Sequence, residues 1–310
     1  MNKISVILNP KAGKGKALKF RNKLEYLLKK GNLNYEIYET KRRKHATEIV
    51  RNLSDSTDLF IVMGGDGTLS EVINGISPEQ NNMPKILVLP LGSGNDFAKE
   101  VNDKNSSEVI LECLISRNCI EKSVNLSTVE LSENNGKRVN FQFVNALGIG
   151  FDSYVAYLNL ENKVLSGIPS YILAVFKGIK KYIPIEPTIK IDGEPHSDAS
   201  EKLLVTVGNN KTSGGGFYLN PYAKIDDDIL DVTVIKHLSP MEIVRKLPKV
   251  LINKTEQIPE FLHKNGKQIS IALKNPFIVH ADGEIFSEKA VNIDIKILEE
   301  KLIFLGFENA

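Results

Sequence analysis

Leu59-Phe-Ile-Val-Met-Gly64-Gly65-Asp66-Gly67-Thr68 and, further on, Ile86-Leu-Val-Leu-Pro90-Leu91-Gly92-Ser93-Gly94-Asn95-Asp96 each run a short apolar stretch into a glycine-bracketed turn that carries an acid. Apolar runs of this length, bounded by glycine, read as buried strands. Each turn then lies at the carboxyl end of its strand. In an open α/β sheet that edge binds ligands, because helix N-termini there point unpaired N–H groups into the crevice. One such turn is a common loop; two feeding one crevice indicate a phosphate and metal site.

The glycines at 64, 65 and 67 allow positive φ and close approach of backbone N–H groups to a ligand. The segment from Thr68 to Ile76 that follows has apolar residues at 69, 72, 73 and 76, the spacing of a helix. The turn therefore opens onto a helix N-terminus with roughly half a positive charge. Beside it, Asp66 either caps the helix or, with a triphosphate present, shares a magnesium ion with it.

The 310 residues exceed what one core needs and suit two domains. Strands and helices alternate from residue 3 to about 120, and short β-rich segments with polar turns follow to about 298. This order predicts an α/β domain over 1–122 and a β-rich domain over 123–298, with 299–310 returning to the first. Cys113 and Cys119 have no histidine or second cysteine pair near them and read as small apolar fillers. The start enters a strand directly, without a signal-peptide layout, so a cytoplasmic location is expected.

No stretch reaches the ~18–20 apolar residues of a membrane span. The longest, Val164 to Phe176, contains Gly167 and Pro169 and leads into Lys177, Lys180 and Lys181; a helix over about Ser170–Tyr182 is expected there, either packed on its domain or lying at a lipid interface. The formal net charge of +2 gives no support for nucleic-acid binding. Local basic runs exist at Lys11, Lys14, Lys16, Lys19, Arg21 and Lys23 and at Lys41-Arg-Arg-Lys44. Some of these would meet phosphates, and others would attract an anionic membrane surface in transient peripheral contact.

Gly64-Gly-Asp-Gly-Thr-Leu-Ser-Glu-Val-Ile-Asn-Gly-Ile76 followed by Pro90-Leu-Gly-Ser-Gly-Asn-Asp-Phe-Ala98 resembles the catalytic domain of the diacylglycerol kinase family, nearest its soluble bacterial lipid kinases. The resemblance begins at Ile4-Ser-Val-Ile-Leu-Asn-Pro-Lys-Ala-Gly-Lys-Gly-Lys16, which is not a Walker A loop because Ala17 follows Lys16 where a hydroxyl is needed. It implies an NAD kinase/phosphofructokinase-like open sheet, then a β-rich, sandwich-like domain. It also implies ATP as co-substrate, Mg2+, a lipid hydroxyl as acceptor (diacylglycerol by default, giving phosphatidic acid) and a homodimer. By the same resemblance, nucleotide contacts fall on Asn9, Pro10, Lys11, Ala12, Gly13, Lys14, Thr40, Gly64, Gly65, Asp66, Gly67, Thr68, Glu71, Ser93 and Asn95, and Asp66 and Asp96 hold the catalytic magnesium.

In the second domain, Val144-Asn-Ala-Leu-Gly-Ile-Gly-Phe-Asp152 and Val207-Gly-Asn-Asn-Lys-Thr-Ser-Gly-Gly-Gly-Phe217 match the family pattern and shape the crevice. Lys163 resembles a basic residue that the family places near its active site. A structural magnesium would map to Asp227 with the carbonyls of Lys224 and Ile229, although Asp228 stands where the family has glycine. A plain acidic turn is the other reading. Val279-His-Ala-Asp-Gly-Glu-Ile-Phe286 reads on its own as a hairpin; the resemblance adds Glu284 as general base on the lipid hydroxyl, with Asp282 positioning it or the turn. Phosphoryl transfer needs positioning and charge neutralisation more than covalent help from protein. Two alternatives stay open: an NAD kinase-like enzyme, which shares the Gly-Gly-Asp-Gly turn, and a non-catalytic nucleotide or lipid sensor on the same fold.

Overall fold

The computed structural model describes residues 3–80, 82–103, 105–160, 168–196 and 200–307. Two compact units emerge, Met1–Val124 with Glu300–Ala310 and Asn125–Glu299. The soft boundary expected at Ile120–Val124 falls at its far end.

The first unit contains β1 (Ile4–Leu8), α1 (Lys16–Lys30), β2 (Tyr35–Glu39), α2 (His45–Leu53), β3 (Leu59–Gly64), α3 (Asp66–Ile73), β4 (Lys85–Pro90), α4 (Asp96–Val101) and α5 (Ser107–Ser116). The strands lie in the order β4-β3-β1-β2, and every pairing is parallel. β1 and β3 are buried throughout, as strands with helices packed on both faces must be. α1 turns Ala17, Phe20, Leu24, Leu27 and Leu28 into the core. Part of its basic run is spent on ion pairs, Arg21 with Glu25 and Lys23 with Glu108. Near the C-terminus Phe304 pairs in parallel with Ile86 and meets Phe97 edge-on at 5.0 Å between ring centroids.

The second unit is built from β5 (Ile120–Glu133, entering from the first), β6 (Arg138–Phe143), β7 (Ala146–Gly150), α6 (Phe151–Leu160), α7 (Ile168–Ile179), β8 (Pro187–Ile191), β9 (Glu194–Pro195), β10 (Lys202–Gly208), β11 (Thr212–Ser213), β12 (Phe217–Tyr218), β13 (Leu230–Lys236), α8 (Pro240–Leu251), β14 (Phe261–Gly266), β15 (Gln268–Ala281) and β16 (Glu284–Gly306). β16 carries the chain back to the first unit. The order β14-β13-β10-β7-β15-β16 is antiparallel, with β8 on the same edge of β15 as β7. A β-rich reading of this unit omits α6 and α8, which pack with α7 around Phe151, Val175, Leu204, Phe217 and Ile243 to form a separate apolar cluster. The helix expected over Ser170–Tyr182 is α7, beginning two residues earlier and ending three earlier. Lys163 and the first part of Val164–Phe176 lie outside the described residues.

Among the described residues no helix is long and apolar enough to cross a membrane.

Candidate active site

Four successive strand ends of the parallel sheet put their loops at one edge. After β1, the Asn9 N–H donates to the Met63 carbonyl at 3.0 Å, and the Asn9 side chain donates Nδ2 to Thr68 Oγ1 at 3.0 Å. Its Oδ1 accepts the Lys11 N–H at 3.1 Å, which shapes the turn that follows. Gly13, Lys14 and Gly15 then take φ of +55°, +58° and +88°, three left-handed residues in a row. After β2, the Thr40 N–H donates to the Leu8 carbonyl at 2.8 Å, fixing Thr40 beside the first loop.

The loops after β3 and β4 lie against each other glycine on glycine. A Cβ on Gly92 would stand 2.3 Å from Gly65 Cα, and one on Gly13 would stand 2.2 Å from the Leu91 carbonyl oxygen. Gly64 is held by close approach as well, an added Cβ falling 2.4 Å from Thr68 Oγ1, and Gly64, Gly65 and Gly67 all lack a positive φ, which corrects the conformational reading of these three glycines. In the second loop Asn95 holds φ +57°, a left-handed position that asparagine tolerates.

Asp66 locks the two loops together. Its Oδ2 accepts the Asn95 N–H at 2.8 Å and its Oδ1 the Phe97 N–H at 3.4 Å. Phe97 lies in the first turn of α4, so the carboxylate of one loop caps the helix that opens from the other. Asp66 and Asp96 are the first residues of α3 and α4, and Asp96 is only 4% exposed.

Two residues expected at the nucleotide have their side chains committed elsewhere. The Asn95 amide closes its own loop, accepting the Gly92 N–H at 2.8 Å and donating to the Gly92 carbonyl at 3.0 Å. The Glu71 carboxylate accepts the N–H groups of Lys44 and Ala46 at 2.7 and 3.1 Å and so caps α2, whose own N-cap Lys44 supplies no side-chain bond. Ser93 and Lys14 are exposed on their loops.

A carboxylate has about four lone-pair positions, and Asp66 gives two of them to the N–H groups of Asn95 and Phe97. Among the described residues no group of three or more Asp, Glu, His or Cys is placed to hold a metal ion. A magnesium here would rely on Asp66 and Asp96, with water and phosphate oxygens completing the shell, the kind of site this ion accepts.

In the second unit, Asp282-Gly283 forms a two-residue hairpin between Ala281 and Glu284, with φ of +50° and +82°. These left-handed values are the type I′ pattern that Asp-Gly favours. Asp282 is 4% exposed and accepts three backbone N–H groups, from Val144 at 3.0 Å, Asn145 at 2.9 Å and Ala146 at 3.1 Å. Burial pushes its carboxyl up to about 6 even though those N–H groups and nearby His280 act in the opposite sense. Asp282 thus anchors the start of β7, and Glu284 leaves that anchored turn half-buried.

Nearby, Asp152 Oδ2 and His280 Nε2 lie 2.7 Å apart, packed over Gly148, where an added Cβ would fall 2.0 Å from Asp152 Oδ2. Sequence reasoning missed this pair, whose members are 128 positions apart. The acidic turn at Asp227 is exposed. Asp227 Oδ1 accepts the Ile229 N–H at 3.3 Å. Asp228 takes φ +61°, the left-handed region that glycine adopts without strain. With its amide turned to satisfy both groups, Asn125 donates to Asp228 Oδ1 at 3.3 Å and accepts the Asp228 N–H at 3.1 Å.

Residues 3–126 match the diacylglycerol kinase catalytic domain, and residues 145–301 match the YegS C-terminal NAD kinase beta sandwich-like domain. The chain thus joins a diacylglycerol kinase catalytic domain to a YegS-type C-terminal domain, and belongs to the family of the latter, whose model matches more than half of it. It is similar to a diacylglycerol kinase of Staphylococcus aureus strain bovine RF122 / ET3-1, 27% identical over 284 residues, covering 90% of this chain and 85% of that one. A crystal structure of a diacylglycerol kinase from Bacillus anthracis superposes with a TM-score of 0.74 at 26% identity, covering 98% of this chain and 96% of that one. Yeast NADH kinase shares the fold at 13% identity, with a TM-score of 0.53 over 99% of this chain and 84% of that one. The two-part fold expected from the sequence, an α/β kinase domain followed by a β-rich sandwich-like domain, is the one found.

Proposed function

We propose that this chain is an ATP-dependent lipid kinase that transfers the γ-phosphate to a lipid hydroxyl, with diacylglycerol as acceptor and phosphatidic acid as product. The observation that carries the reading is the Asp66 carboxylate joining two glycine loops at the carboxyl edge of a parallel sheet, in a chain whose relatives are named diacylglycerol kinases. The loops after β1, β3 and β4 bind the triphosphate through backbone N–H groups and Lys14. Thr68, held by Asn9, faces the same loops. Asp66 and Asp96 hold magnesium, which when bound neutralises phosphate charge and aligns the γ-phosphoryl group.

Glu284 takes the proton from the acceptor hydroxyl, and Asp282 fixes the turn from which it extends. Asp227 with the carbonyls of Lys224 and Ile229 holds a structural magnesium, an arrangement suited to a hard, oxygen-liganded ion. The enzyme acts at a membrane surface by peripheral contact, since its acceptor resides in the bilayer. Incubating the chain with γ-labelled ATP, magnesium and, in parallel reactions, lipids in mixed micelles or NAD tests the reading. Label in phosphatidic acid that disappears with Glu284→Gln supports it; label in NAD but in no lipid overturns it.

A further inference from the structure

α8 is apolar on two opposite faces. Ile243, Leu247 and Val250 face inward and, with Tyr171 and Val175 of α7, wall an apolar cavity within the second unit. On the other side Met241, Val244, Pro248 and Ile252 follow one another at helical spacing along α8 and its C-cap and face solvent, with Met241 68% and Ile252 59% exposed. α7 repeats the arrangement, burying Ala174 and Val175 and exposing Leu173 and Phe176. A surface helix ordinarily keeps one apolar stripe, turned toward the core. α7 and α8, which wall one cavity, each carry a second apolar stripe outward, and such stripes await a partner.

The charges beside the stripe identify that partner. Arg245, Lys249 and Lys254 lie along α8 and just beyond it without an acidic partner among the described residues, and Lys177, Lys180 and Lys181 extend from the end of α7. Of the acids near this flank, Glu242 is occupied by Ser239 and Lys246, Lys246 also bridges to Glu260, and Glu256 beyond the helix is outnumbered by these cations. An isologous contact with a second copy would set these cations against themselves. An anionic bilayer complements them, while its acyl region accepts the apolar stripe.

We propose that the outward faces of α7 and α8 are the surface on which this protein docks to an anionic membrane, with Met241, Val244 and Ile252 entering the acyl boundary. The proposal rests on the lipid kinase reading and adds to it a route for substrate. The same two helices wall the apolar cavity behind the docking face, so a lipid chain leaving the bilayer meets apolar surface on its way in.

Sedimentation of the full chain with vesicles tests this without ATP or turnover, so its outcome is separate from that of the kinase assay. The chain is expected to partition onto phosphatidylglycerol–phosphatidylcholine vesicles more strongly than onto phosphatidylcholine alone. The exposed double substitution Met241→Asp with Ile252→Asp should weaken that partitioning more than about tenfold while leaving the thermal midpoint unchanged. Arg245→Glu with Lys249→Glu should remove the preference for phosphatidylglycerol. Partitioning of Met241→Asp/Ile252→Asp equal to wild type would overturn the proposal. So would a wild-type dimer that the same substitutions dissociate while neither form binds vesicles, which would make the face an interface between copies.

Discussion

Asp66 Oδ2 accepts the Asn95 N–H at 2.8 Å across the junction of the two glycine loops, so the carboxylate proposed to hold magnesium also holds together the loops proposed to cradle phosphate. Removing the side chain and removing its charge are therefore different experiments. Asp66→Ala leaves the N–H groups of Asn95 and Phe97 without their acceptor and should cost about 1–3 kcal/mol of stability. Asp66→Asn keeps an oxygen for one of them and should cost less, yet lose at least about 100-fold in turnover, because an amide does not replace a carboxylate on a hard cation. Thermal unfolding and lipid phosphorylation measured on both variants separate the two roles. Wild-type turnover in a folded Asp66→Asn protein would remove the metal assignment.

The loop contact makes a second prediction through glycine alone. A methyl on Gly92 would meet Gly65 backbone atoms at 2.3 and 2.9 Å, which only separation of the loops relieves, whereas a methyl on Gly15 meets nothing within 4 Å and suffers only from its φ of +88°. Gly92→Ala should cost about 3 kcal/mol and most of the activity, and Gly15→Ala about 1–2 kcal/mol. Denaturant titration of both, with ATP binding alongside, gives the order; equal costs would mean that the loops are not packed on each other.

These contacts show which parts of the site a sequence can disclose. Gly64-Gly65-Asp66 and Gly92-Ser93-Gly94 are legible because close backbone approach demands glycine and a strand-end acid is conspicuous. The commitment of Glu71 to the start of α2 is not legible, since its N–H partners lie 25 and 27 residues away and no pattern links them. Asp152 and His280 are hidden for the same reason. α8 had a local signal, the capping box Ser239-Pro-Met-Glu242 ahead of Ile243, Leu247 and Val250. α6 had none: Phe151-Asp-Ser-Tyr-Val reads as extended by propensity, and packing of Phe151 and Val155 against α7 decides for helix.

The acidic turn makes magnesium measurable apart from catalysis. If Asp227 with the carbonyls of Lys224 and Ile229 binds an ion in the folded state only, added magnesium raises the thermal midpoint, with the gain growing as the logarithm of its concentration. Asp227→Ala should abolish the part of that shift due to this turn, while Asp66→Asn should spare it. Asn125→Asp would place a second carboxylate against Asp228 and should destabilise the protein at neutral pH by about 1–3 kcal/mol. A midpoint that rises equally with magnesium in wild type and Asp227→Ala would show that the turn is closed by Asn125 without a cation.

The last prediction concerns pH. Burial raises the Asp282 carboxyl from 3.8 to about 6, so the folded state holds this proton more tightly than the unfolded chain does. A group whose folded pKa lies above its unfolded value gives its full stabilisation below the unfolded pKa and loses it as pH rises through the folded one. The contribution of Asp282 should therefore decline between about pH 4 and pH 6, by up to ~3 kcal/mol. Other carboxylates follow their own curves, so the measurement is a difference. Unfolding free energies of wild type and Asp282→Asn are determined at a series of pH values, and wild type should lose stability relative to the variant across that window. A difference that stays flat would mean that the three N–H groups of Val144, Asn145 and Ala146 hold Asp282 ionised despite its burial, making the turn beside Glu284 a fixed negative charge at every working pH.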